Sequence, residues 1–178
     1  MNKTFGCNKD STFKARALLE SVVSSSLEAE KITAHPYVKF QKARILQLID
    51  SSKILGEYHN SEIIQCYRDA IFTIKTVEQY NVIQNTKSYA SLLWIFGLYL
   101  AENEQKLDSI RYLEESKNSF EALNLIDDQY YQCLSKLGAL YLDYYEEDKE
   151  SRIKYLRLSR QISNLLNKYY SRFRRQRI

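Results

Sequence analysis

Residues that make tight turns are almost missing from this 178-residue chain, which holds four glycines, one proline and neither an Asn-Gly nor an Asp-Gly pair. A β-sheet or α/β fold of this length needs many such turns. Their scarcity argues for an all-α chain of long helices joined by short polar connections. Cysteine and histidine are equally sparse. Cys7, Cys66 and Cys133 form no C-x-x-C pair, and only His35 and His59 could join them, so no disulfide framework, metal site or other cofactor is expected. No apolar run reaches the ~20 residues of a membrane-spanning helix. The longest, Leu92 to Ala101, is half that length and contains Gly97. The N-terminal Met1 to Gly6 lacks the apolar centre of a signal peptide. The expectation is a cytoplasmic protein with reduced thiols and no membrane span.

Acids are missing from the basic C-terminal stretch. From Arg152 onward there are nine basic residues and no Asp or Glu, so the other 17 Lys and Arg stand against all 22 acids. The chain therefore pairs an acidic body with a basic end. What it has in plenty is tyrosine, 15 in all.

Hydrophobic periodicity divides the chain into seven helices. Residues 1–10 are patternless and read as a flexible N-terminus, 11–170 as a single helical repeat domain, and 171–178 as a basic C-terminal tail. The first helix is expected over 11–32 with a stripe through Ala15, Leu18, Leu19, Val22, Val23 and Ala29. The second runs over 37–57 behind Pro36, with Ile45, Leu48, Ile49, Ser52 and Leu55 on one face. The third covers 61–80, followed by a connection at 81–86. The fourth spans 87–104, the fifth 108–125 from an Asp108 cap, the sixth 128–145 and the seventh 149–174.

Two of these helical pairs repeat each other. Leu93, Phe96, Gly97 and Leu100 match Leu134, Leu137, Gly138 and Tyr141. On the helices that follow, Tyr112-Leu113-Glu114-Glu115-Ser116 matches Tyr155-Leu156-Arg157-Leu158-Ser159. A glycine inside a helix costs about 1 kcal/mol against alanine. Gly97 and Gly138 both sit mid-helix, which points to a neighbouring helix so close that a β-carbon would collide with it. Ser116 and Ser159 are the small residues expected where the partner helix crosses.

This pattern resembles the tetratricopeptide-repeat (TPR) family. Leu93, Phe96, Gly97, Leu100, Ser109, Leu113 and Ser116 fall at the motif spacing. Leu134, Leu137, Gly138 and Tyr141 do the same, with Leu156 and Ser159 joining after a two-residue insertion. A weaker unit runs through Ile45, Leu48, Ile49, Ser52, Ile63, Tyr67 and Ala70. The period is about 41–43 residues against the family's usual ~34, and Glu121 stands where the motif closes on proline. The resemblance implies helical hairpins stacked as a short right-handed superhelix whose first helices line a concave groove. By carry-over, that groove is lined by Ser91, Trp94, Leu98 and Ala101 in one unit and Gln132, Ser135, Ala139 and Leu142 in the next. The Asn and Lys residues with which the family clamps a C-terminal carboxylate are absent from these positions. An amphipathic helix or apolar peptide suits the lining better. Trp94 fits either the core or an exposed binding anchor.

Catalytic constellations are lacking: there is no G-x-S-x-G, H-E-x-x-H, Walker loop or G-x-G-x-x-G. A Cys66–His59 nucleophile has no orienting group in the sequence, and Glu146-Glu147-Asp148 reads as a solvated connection and not a metal site. The chain is expected not to be an enzyme but a protein-interaction module, an adaptor, scaffold or regulatory subunit. The basic end (Arg157, Arg160, Lys168, Arg172, Arg174, Arg175, Arg177) admits three readings. It can be the solvated face of a capping helix, or contact an acidic protein or this chain's own body, or bind nucleic acid or an anionic membrane through 152–178. In the nucleic-acid reading Tyr169, Tyr170 and Phe173 could stack on bases. Membership of an obligate assembly, including a homo-oligomer, is the remaining reading.

Overall fold

The structure is a computed structural model that describes residues 35–52, 60–147 and 152–175, together with Ala17, Ser21, Ser24, Ser25 and Glu28. The side chains of 51–52, 144–147, 152, 154–155 and 172–175 lie outside that description. The described residues contain no strand. Seven α-helices follow in chain order: α1 (Pro36–Ser52), α2 (Asn60–Thr76), the single turn α3 (Asn81–Gln84), α4 (Lys87–Glu102), α5 (Lys106–Ala122), α6 (Asp128–Glu147) and α7 (Arg152–Arg175). A 3-10 turn spans Glu78–Tyr80. The fold is all-α. Of the first expected helix, the five described residues are helical and exposed. Its apolar stripe and residues 1–10 lie outside the described residues.

The chain divides into two compact units, Met1–Glu78 and Gln79–Ile178. In the first, α1 opens as the sequence suggests. Proline needs no N–H partner at a helix start, and the His35 ring accepts from the Tyr37 N–H at 3.2 Å. The buried face of α1 differs from the expected one. It carries Phe40, Ala43, Leu46 and Ile49, whereas Leu48 is 60% exposed. The first half of the helix decides the matter. Phe40 packs against the buried Tyr67 ring of α2, with centroids 6.0 Å apart, and continuing that stripe by helical spacing turns Leu48 outward. Tyr67 then donates its hydroxyl to Gln47 at 2.8 Å. Ile63, Ala70 and Ile74 complete the α2 face.

The second unit consists of two antiparallel hairpins, α4–α5 and α6–α7, with α5 also packed against α6. The direction is read from the contacts. Early α5 meets late α4 (Ser109 Oγ to the Gly97 carbonyl, 2.6 Å), and late α5 meets early α4 (Ser116 Oγ to the Ala90 carbonyl, 2.8 Å). Leu113, Phe120, Cys133, Leu134 and Leu137 form the buried centre.

Turns without glycine are made by two residues in the left-handed region, Glu104 (φ 61°) and Asn124 (φ 55°). Each ends its helix by the same double closure. Gln105 N–H bonds the Leu100 carbonyl and Glu104 N–H that of Ala101. Leu125 N–H bonds the Phe120 carbonyl and Asn124 N–H that of Glu121. This chemistry also moves the start of α5. Gln105 is its N-cap, without a side-chain cap bond, and Asp108 lies inside the first turn. There its charge suits the positive end of the helix dipole, but it is not the cap. True caps occur at Thr86, whose hydroxyl accepts from Tyr89 N–H, and at Asp127, whose carboxylate accepts from the N–H of Gln129 and Tyr130 at 3.0 and 3.2 Å.

Candidate partner-binding face

Gly97 and Gly138 both face their partner helix. A β-carbon on Gly97 would lie 2.6 Å from Cγ and 2.8 Å from Cδ2 of Leu113. One on Gly138 would lie 3.2 Å from Cγ2 of Ile162. Ser116 and Ser159 are buried. The second hairpin is nevertheless not a copy of the first. The alignment that pairs Ser116 with Ser159 places Leu156 opposite Gly138, yet Ile162 stands there and Leu156 is 47% exposed. Helix length is the reason. Five residues separate Gly97 from the end of α4 at Glu102, and nine separate Gly138 from Glu147. The extra turn of α6 obliges α7 to begin further out, so residues later in α7 reach the glycine.

Helices α4 and α6, the first of each hairpin, lie side by side. Ser91 Oγ donates to Gln129 Oε1 at 3.0 Å, and Lys87 Nζ bonds Asp127 Oδ2 at 2.6 Å. Ser91, Trp94, Leu98 and Ala101 on α4 are half-buried. Gln132, Ser135, Ala139 and Leu142 on α6 are exposed. Trp94 and Ala101 pack against the core shared with α6, so Trp94 serves the interior with one side of its ring. Its indole Nε1 is buried and has no hydrogen-bond partner among the described residues. Leaving such a donor unsatisfied costs roughly 1–3 kcal/mol.

The tyrosines form a second system that the sequence did not reveal. On the two sides of α5 they donate to its carboxylates: Tyr89 of α4 to Glu115 (2.7 Å), Tyr130 of α6 to Glu121 (2.7 Å) and Tyr141 of α6 to Glu114 (2.5 Å). Burial, reinforced by the adjacent carboxylates, pushes the Tyr89 and Tyr130 phenols well above their ordinary range, so both remain donors. The only sequence signal was tyrosine abundance. A cleft of about 280 Å³ opens beside α4, among Gln84, Asn85, Tyr89, Glu115 and Asn118, and its carboxylate is the one Tyr89 already holds.

On α7, Arg157, Arg160 and Lys168 are exposed. The side chains of Arg172, Arg174 and Arg175, and all of Arg177, lie outside the described residues. Tyr169 stacks on Tyr131 of α6 at 3.6 Å between centroids and donates to Asp128, which raises its phenol to about 12. Its ring is therefore committed to the hairpin. Tyr170 is exposed, and the Phe173 side chain lies outside the described residues.

Cys66 and Cys133 are both buried. The Cys133 thiol is pushed up to about 12, chiefly by burial. The Cys66–His59 pair cannot be placed, since His59 lies outside the described residues, as do the side chains of Glu146-Glu147-Asp148. Among the described residues no three His, Cys, Asp or Glu side chains gather at metal-binding distance, and no helix is long and apolar enough to cross a membrane. No family model, curated protein or solved structure matches this chain.

Proposed function

We propose that this chain is a divergent TPR-like helical array acting, without catalysis, as a cytoplasmic protein-interaction module. Its occupant is an amphipathic helix or apolar peptide laid along α4 and α6. One observation carries the reading. The neighbouring first helices carry half-buried Trp94 and Leu98 on α4 and exposed Ala139 and Leu142 on α6, at the positions from which such arrays hold a partner. A partner's apolar side chains can cover that strip. The nucleic-acid reading of 152–178 keeps the exposed arginines but loses Tyr169 as a base-stacking platform, since Tyr131 occupies its face.

The test places a charge on the strip. Leu98→Asp and Ala139→Asp, each first shown by circular dichroism to be folded, are compared with the wild-type chain in affinity purification from the native host. Quantitative mass spectrometry and photo-crosslinking from position 135 identify what is lost. The expected outcome is loss of one partner by at least tenfold, with its crosslink mapping to a single helix or peptide. Retention of every partner by both variants refutes the assignment.

A further inference from the structure

We propose that the outer side of the α6–α7 hairpin is a second docking surface, one that takes an amphipathic helix of another protein with acidic residues beside its apolar stripe. The inference starts from what covers the first hairpin. On α4–α5 the side turned to α6 is formed by Ala101, Ile110, Leu113 and Phe120, and α6 packs against it. Leu142 stands on α6 where Ala101 stands on α4, at the same distance past the glycine, but is 47% exposed.

The corresponding side of α7 follows from its contacts. Ser159, Ile162 and Leu166 form its inward stripe. One row round from that stripe run Leu156, Ser163 and Tyr170 at seven-residue intervals, and beside them Ile153, Arg160 and Asn167. All six are exposed, Ile153 by 65% and Tyr170 by 53%. Seven-residue rows of this kind are what a facing helix packs between. The apolar members sit at both ends, and the extra turn of α6 and α7 places Ile153, Leu156 and Leu142 towards the same end of the hairpin.

Charge selects the occupant. Arg157 and Arg160 are exposed beside the rows, and α7 contains no acid. A second copy pairing through the same face would bring two basic helices together, which like-charge repulsion opposes. Nucleic acid would gain nothing from Ile153 and Leu156. A partner helix with flanking Glu or Asp satisfies both the apolar row and its basic edge. The surface shares Leu142 with the α4–α6 strip but not Trp94, Leu98 or Ala139, and the two are told apart by substitutions at residues they do not share.

The probe is a fluorescent designed helix of about 18 residues, or five turns. It has leucines on one stripe and glutamates on both flanks, and it is compared with an otherwise identical peptide carrying lysines. Binding to the full chain is read by anisotropy at about 0.15 M salt, where long-range charge effects are largely screened. The glutamate peptide is expected to bind at least tenfold more tightly than the lysine peptide. Ile153→Glu/Leu156→Glu should abolish at least tenfold of that binding, Arg157→Glu/Arg160→Glu should shift preference to the lysine peptide, and Leu98→Asp should leave it unchanged. The arginine variant alters only solvent-exposed side chains, so it tests the proposal even if the apolar variant misfolds. Four outcomes overturn it: no binding of the glutamate peptide, no preference between the peptides, loss of binding in Leu98→Asp alone, or a concentration-dependent dimer that the Leu156 substitution dissociates. Binding of the wild-type chain to phosphatidylserine vesicles in place of the peptide overturns it as well.

Discussion

Replacing Gly97 by alanine sets two effects of known size against each other. Alanine is a better helix former than glycine by about 1 kcal/mol, which favours the variant. The new methyl, however, arrives 2.6 Å from Leu113 Cγ, 2.8 Å from its Cδ2 and 3.4 Å from its backbone nitrogen. Cγ is the branch point of the side chain, and Leu113 is fully buried, so it cannot swing aside without displacing other core groups. Overpacking of this kind costs typically about 1–3 kcal/mol. With the contact this short, the upper part of that range applies, and Gly97→Ala is expected to lose a net of about 1–2 kcal/mol. Gly138→Ala is the internal control. Its methyl meets only Ile162 Cγ2 at 3.2 Å and Cβ at 3.8 Å, which a shift of a few tenths of an ångström relieves, so the helix-forming gain should leave it neutral or slightly stabilised. Urea unfolding followed by Trp94 fluorescence reports on the unit that contains both glycines, since Trp94 is the only tryptophan. The midpoint should fall for Gly97→Ala with the slope unchanged. Removing Leu113 as well should erase most of the glycine effect in a double-mutant cycle. Gly97→Ala at least as stable as wild type, or Gly138→Ala the more damaging of the two, would refute the argument from close approach.

Substitutions at two further positions act on the helix ends. Glu104 holds a left-handed backbone conformation that glycine adopts freely. Glu104→Gly is expected to stabilise by about 0.5–1 kcal/mol after the entropy of the more flexible unfolded chain is subtracted; a lower urea midpoint would contradict this. Burial alone would raise the Asp127 carboxyl. The Lys87 ammonium and the backbone N–H groups of Tyr130 and Gln129 outweigh that and hold it below its ordinary value. Because its folded pKa is depressed, its contribution is present above the unfolded value of about 3.9 and is lost as pH falls through the folded value. Asp127→Asn keeps a capping oxygen but not the charge, so it should flatten that acid limb and be less stable than wild type at pH 7 by the height of the limb removed, whereas Asp127→Ala should lose the cap as well, about 1 kcal/mol more. Thermal unfolding between pH 2 and 7 distinguishes them, and an unchanged acid limb in Asp127→Asn would exclude this carboxylate as its source.

The long helices α1, α2 and α4–α7 and most of their boundaries were legible because turn residues are rare and apolar spacing is strong, whereas the turn α3 stands where a connection was expected. The glycine contact was legible too, because a mid-helix glycine in an apolar pattern carries its own penalty. What failed was phase and register. The apolar residues of α1 fit two stripes that share Ile49, and the ring of Tyr67, a contact across the hairpin, selects the one through Phe40 and Leu46. The Leu156 alignment failed because one extra helical turn is invisible when loop length and helix length trade against each other. The Asp108 cap failed for a related reason. Glu104 in a left-handed conformation looks like any other glutamate in a sequence, and the turn it makes starts α5 two residues early. Of the candidate face, the neighbouring of Ser91 and Trp94 with α6 followed from repeat logic. The unsatisfied indole N–H did not, since it depends on what fails to come near.

The hydroxyl–carboxylate pairs around α5 have a bearing on how the stack keeps its alignment. Leucine-lined rods can slide past one another by a turn and still find apolar company, so such surfaces adhere well but measure distance poorly. Glu114, Glu115 and Glu121 are each gripped from a different height by Tyr141, Tyr89 and Tyr130. A slip of α5 along either neighbour would strand several half-buried partners at once, at roughly 1.5–3 kcal/mol for each hydrogen bond to a charged group. The phenols thus act as detents on a ratchet, and exchanging them together for phenylalanine would leave the helices formed and packed but free to lose their place.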